Sequence, residues 1–216
     1  MSVDITAIVG AIDAAKKDSK KRGFEQSIEL IVVLQGIDLK KPENRINELV
    51  ELPHPPGKEV RIGVFATGDM ALRAKNAGVN VVMGRDDLEK MAGDKKTAKN
   101  LAKNTDYFIA EAPLMPLVGK SLGPILGPKG KMPTPVPPTA PMDAMVERLL
   151  RTVRIRMMDQ PNIQCAVGTE DMPSERVAEN VQAVITAIGR KVPGGMRSVR
   201  KAFIKTTMGP RVKIEL

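Results

Sequence analysis

The sequence predicts a mixed α/β fold in two domains: a discontinuous α+β two-layer domain built from both termini, and a parallel α/β domain inserted between them. Three features lead there. At both ends of the 216-residue chain, apolar residues recur at period two beside a stretch where they recur at 3.6. The middle holds short, nearly continuous apolar runs between helical stretches, the pattern of strands buried on both faces. Each terminal block alone is too small to bury enough apolar area against chain entropy. Joined, residues 1–57 and 154–216 make a domain of about 120 residues, a normal size, and residues 58–153 form the insertion.

Taken in order, Ile5, Ile8, Val9 and Ile12 form the stripe of a first helix. Lys16, Lys17, Lys20 and Lys21 follow where a helix end favours cations, and Gly23 can stop it. Ile28, Leu30, Val32 and Leu34 share one face of a half-buried strand, and a second strand runs through 46–52. Pro53-His54-Pro55-Pro56-Gly57 is a breaker. Val60–Ala66, Val79–Met83 and Tyr107–Ala110 read as strands. A helix over 68–77 capped by Thr67 and Lys-rich helical sequence to Lys103 separate them, which implies a parallel sheet with helices on both faces. Residues 113–141 hold 9 of the 17 prolines and 4 glycines and read as a long irregular loop. Met142, Met145, Val146 and Leu149 restore the helical period. Val153 and Ile155 then alternate with Arg154 and Arg156, and Ile163–Val167 is another strand. Ser174 caps a helix whose stripe is Val177, Val181, Val184, Ile185 and Ile188. After Gly194-Gly195, alternation places Lys201, Phe203, Lys205 and Thr207 on one face; a last strand sets Val212 and Ile214 against Arg211 and Lys213.

Composition narrows the function. A 42% hydrophobic content supports a core and excludes a disordered basic tail. One Cys excludes an internal disulfide, and one Cys with one His excludes an ordinary zinc site. No apolar run approaches the ~18–20 residues of a membrane span and no secretory leader opens the chain, so a soluble cytoplasmic protein is expected. Aromatic residues at 2% disfavour reading nucleic acid by base stacking. Net charge is +9, and residues 190–216 alone carry 8 basic side chains against 1 acidic, which points to a polyanion partner.

No catalytic signature survives inspection, and no cofactor is expected. Lys129-Gly130-Lys131 lacks phosphate-loop spacing, since Ile125 stands where the first Gly is needed and Met132 replaces the hydroxyl. Gly63 lies inside a strand rather than in the turn after it, His54 has no nucleophile at a sensible spacing, and Cys165 sits in an apolar strand. Nucleic-acid binding has better material. If their strands share a sheet, Arg154, Arg156, Lys205 and Thr207 make a basic plate that contacts phosphates. In Thr206-Thr207-Met208-Gly209-Pro210, hydroxyls suit a ribose 2′-OH, Met208 a pliable apolar contact, and Gly209 a close backbone approach.

That run, together with the Leu122–Pro133 segment LGPILGPKGKMP and Arg22-Gly23-Phe24-Glu25-Gln26-Ser27-Ile28-Glu29 after the first helix, resembles the ribosomal large-subunit protein one family, in its archaeal form. The match spans essentially the whole chain. The resemblance implies an RNA-binding domain from both termini and a Rossmann-like insertion. It also implies binding to the lateral stalk of large-subunit rRNA, assistance to release of deacylated tRNA from the exit site, and repression of the protein's own mRNA by a monomer in the cytoplasm and on the ribosome. Carried over by motif, the RNA contacts are Phe24, Glu25, Ser27, Thr206, Thr207, Met208 and Gly209. Lys201, Lys205, Arg154 and Arg156 join them from the face pattern. Bacterial relatives place Lys before the Phe, where this chain has Gly23, so Arg22 is the substitute candidate; they tend to have Ser at the position of Lys201. Lys120, Lys129 and Lys131 are further candidates for RNA or tRNA contact. Two alternatives are a phosphate- or nucleotide-handling enzyme of the middle domain and a DNA-binding regulator.

Overall fold

The computed structural model describes residues 4–39, 46–157 and 160–215. They pack as two compact units, one from 1–58 with 151–216 and one from 59–150. The boundary drawn between 153 and 154 falls inside a strand that belongs wholly to the first unit.

The first unit is a sheet with two helices on one face. Strands β1 (Ser27–Leu34), β8 (Asn162–Thr169), β9 (Val199–Thr206) and β10 (Val212–Ile214) form an antiparallel sheet in the order β10-β9-β1-β8. Burial alternates strictly along β1, with Ile28, Leu30, Val32 and Leu34 inward. Helices α1 (Ile5–Lys17) and α8 (Ser174–Lys191) pack against each other and cover that face. All five apolar residues predicted for α8 are fully buried, so one helix contributes several fully buried side chains at roughly 1.5–3 kcal/mol each. The stripe of α1 runs through Ile8, Ala11, Ile12 and Ala15, while Ile5 is exposed.

Three local expectations for this unit change. The first helix stops at Lys17, before Gly23. Pro173 rather than Ser174 precedes α8, and the Ser174 hydroxyl donates to Asp13. Strand β7 (Thr152–Arg156) does not join the main sheet: it pairs only with β2 (Asn47–Glu51), as a two-stranded ribbon. Arg154 and Arg156 therefore share no sheet with Lys205 and Thr207, and the four-residue basic plate does not form.

The second unit is a parallel sheet of β3 (Ile62–Phe65), β4 (Val81–Met83), β5 (Tyr107–Glu111) and β6 (Thr134–Val136), ordered β4-β3-β5-β6. Alternate residues of β3 feed two cores. Phe65 stacks on Phe108 at 5.4 Å, and Ile62, Val64 and Ala66 face the other side. Gly63 is required by this packing, because a Cβ there would lie 2.9 Å from the Phe108 ring. Helices α2 (Gly68–Asn76), α3 (Arg85–Gly93), α4 (Lys95–Asn104), α5 (Met115–Ser121), α6 (Gly123–Leu126) and α7 (Met142–Leu150) cover the faces. The 113–141 segment is thus not an irregular loop. Pro116 and Pro124 stand at the starts of α5 and α6, where a missing N–H costs nothing.

Candidate nucleic-acid interface

The motif residues meet where β1 begins and β9 ends. Past Thr206 the chain adds one more rung. The Thr207 N–H donates to the Ser27 carbonyl (3.0 Å), and the Ser27 N–H donates to the Thr207 hydroxyl oxygen (3.1 Å). Next outward, the Met208 N–H donates to Gln26 Oε1 at 3.1 Å. Segments 24–27 and 206–209 thereby lie side by side at one end of the sheet.

Gln26 organises this end. It is fully buried, and its Nε2 donates to Ser19 Oγ (2.9 Å), the Lys20 carbonyl (3.2 Å) and Glu170 Oε2 (3.2 Å). Its backbone N–H donates to Glu170 Oε1 at 3.0 Å. One amide therefore ties together the exit of α1, the start of β1, the turn after β8 and the turn after β9. Sequence reading missed Gln26 and Glu170. A buried polar residue looks like a surface one in a single sequence, and only the position of Gln26 as an inward step of the alternation hinted at it.

The presented surface follows from parity. Thr206 points inward, is fully buried, and donates its hydroxyl to Ser19 Oγ at 2.9 Å; it is a packing residue, contrary to its expected place among the contacts. Gly209 also has a packing reason, since a Cβ would lie 2.3 Å from the Thr206 hydroxyl. Phe24 and Met208 are 53% and 60% exposed, the wrong way round for folding and so notable at one spot. Arg22 and Glu25 are exposed beside them, and Ser27 is half-buried.

The outer sheet face continues from there. Lys201, Phe203 and Lys205 on β9 stand opposite Val33, Ile31 and Glu29 on β1. Lys205 Nζ donates to the Thr207 carbonyl (3.1 Å) and lies 3.6 Å from Glu29. Lys213 pairs with Phe203 across β10, and the Arg211 guanidinium sits 5.3 Å over the Phe203 ring. Four cations and one carboxylate thus surround a small apolar patch.

In the second unit the carboxyl ends of the parallel strands carry a buried carboxylate rather than an open anion site. In parallel sheets ligands bind beyond the carboxyl ends of the strands, where strand order reverses. Here that position, between β3 and β5, holds the buried carboxylate of Glu111, which accepts from the Thr67 N–H (3.0 Å) and hydroxyl (2.9 Å). An adjacent cleft of about 470 Å³ is lined by Asp86 and Asp87 and also by Lys75, Arg85 and Lys90. Lys131 is bound to the Thr105 carbonyl and lies 3.8 Å from Asp106. Cys165 is buried and its thiol is pushed up to about 12 by burial, and His54 contacts Glu179 on α8. No group of three or more potential metal ligands occurs among the described residues. No helix among them is long and apolar enough to cross a membrane.

Residues 15–210 match the model of the ribosomal protein L1p/L10e family. The chain is 48% identical to the large ribosomal subunit protein uL1 of Thermofilum pendens, over 99% of this chain and 97% of that one. It is 48% identical to that of Methanobrevibacter smithii (96% and 98% covered) and 50% identical to that of Pyrobaculum calidifontis (97% and 93% covered). With both the family model and these full-length relatives in agreement, the chain belongs to the ribosomal protein L1p/L10e family.

Proposed function

We propose that this chain is a structural constituent of the large ribosomal subunit, placed on the ribosome in the cytoplasm, and that it grips the lateral stalk of the rRNA with the end of its antiparallel sheet. The observation that carries this reading is the exposure of Phe24 and Met208 beside a cationic sheet face, with the Met208 N–H held by the buried Gln26. The contact set is Arg22, Phe24, Glu25, Ser27, Thr207 and Met208, extended by Lys201 and Lys205. Thr207 still has acceptor capacity for a ribose 2′-OH, which favours RNA over DNA. From the same position the chain assists release of deacylated tRNA from the exit site, and a stalk-like fold in its own mRNA makes that message a second target. The family is one of ribosomal proteins, and the chain is not an enzyme.

Met208→Asp tests the grip, because the side chain is exposed and its loss leaves the core intact. Filter binding to a stalk rRNA fragment should weaken by about 1–3 kcal/mol, the scale of a good base contact. Unchanged affinity would remove the sheet end from the interface.

A further inference from the structure

The second unit carries a charge pattern that its own folding does not explain. Helix α4 presents Lys95, Lys96, Lys99 and Lys103 to solvent and has no acidic residue. Two arginines on other helices of this unit are paired within their own helix: Arg73 with Asp69 at 3.0 Å on α2, and Arg85 with Glu89 at 3.2 Å on α3. Among the described residues, none of the four α4 ammonium groups has a carboxylate in ion-pair range. Lys95/Lys99 and Lys99/Lys103 are like charges at i, i+4, which disfavours a helix. Lys95 and Lys96 also occupy the first turn, where the helix dipole disfavours cations. The Asp94 carboxylate caps that turn through the N–H groups of Lys96 and Thr97, but it is one charge against four. The opposite helix face, Ala98, Leu101 and Ala102, is buried, so the lysine face is fixed outward.

We propose that the exposed face of α4 is a second RNA-docking surface that binds backbone phosphates, separate from the sheet end of the first unit. Lys96, Lys99 and Lys103 lie at i, i+3 and i+7 over about 10 Å of helix, a span that reaches two or three consecutive phosphates. The face has no aromatic residue, its uncharged hydrogen-bonding side chains are Thr97, Asn100 and Asn104, and the Thr97 hydroxyl already donates to Asp94, so it reads charge and not sequence.

The test uses the full chain and a 24-base-pair RNA duplex without stalk sequence, titrated between 50 and 200 mM salt. Lys96→Ala, Lys99→Ala and Lys103→Ala together should lower the slope of log affinity against log salt by about 2–3 units. The matching triple Lys→Arg variant should keep the slope, and both variants should bind the stalk fragment as the parent does. An unchanged slope in the Ala variant overturns the proposal. Equal loss on the stalk fragment also overturns it, because the surface would then not be separate. Binding of phosphatidylglycerol vesicles that is lost in the Ala variant, with duplex binding unmoved, would assign the face to membranes instead. Failure of Met208→Asp to weaken stalk binding bears on the sheet end and leaves this result standing.

Discussion

Replacing Gln26 by Leu keeps roughly its volume and removes every side-chain hydrogen bond at the sheet end. Three donor contacts from Nε2 disappear, and Oε1 no longer accepts from Met208. An ordinary hydrogen bond contributes about 0.5–1.5 kcal/mol net, and one to a charged group, as Glu170 is, about 1.5–3 kcal/mol. Glu170 keeps its bond from the Gln26 N–H. The loss should therefore stay near 2–4 kcal/mol, the upper range for one substitution. If at least 1.4 kcal/mol of it falls on the turn after β9, the Met208 amide should exchange about tenfold faster or more. Amide exchange read by NMR, with chemical denaturation for global stability, measures both quantities. The Gln26→Leu chain should also bind the stalk fragment more weakly, because Met208 loses its anchor. Unchanged exchange at Met208 with unchanged stability would refute Gln26 as the organiser of this end.

Other substitutions separate packing from contact. Gly209→Ala should cost roughly 1–3 kcal/mol by overpacking against Thr206, read as a lower urea midpoint. Gly10→Ala, at an exposed position of α1 where an added Cβ meets nothing within 4 Å, should instead stabilise by about 0.5–1 kcal/mol. At pH 8 the Cys165 thiol should resist alkylation in the folded chain and react once it is unfolded, because burial disfavours its thiolate; rapid modification of the native chain would contradict this burial. The Asp94 carboxyl is held below its ordinary 3.8, first by the Thr97 side-chain hydroxyl and then by the Thr97 N–H. Its cap is therefore complete above that ordinary value and lost as pH falls through the lowered one; Thr97→Ala should raise the NMR titration midpoint toward normal.

Local pattern carried most of the fold. Period two fixed the inward face of β1, and period 3.6 fixed all five buried positions of α8. Partner choice is not local, so nothing in Thr152–Arg156 announced that β7 pairs with β2 alone. The prolines of 113–141 looked like loop residues because Pro at a helix start and Pro in a turn have the same sequence. At the sheet end, parity correctly turned Thr207, Lys205 and Lys201 outward; the same parity applied to Thr206 would have placed it inside. The polar network behind Gln26 depends on residues up to 182 positions apart, a distance over which one sequence holds no pairing signal.

The most direct measurement is an amide NMR map of the full chain with and without a stalk rRNA fragment. The largest shifts should fall on residues 22–27 and 207–208 and extend along Lys201 and Lys205. A map in which those residues stay still while shifts gather elsewhere would contradict RNA binding by the sheet end.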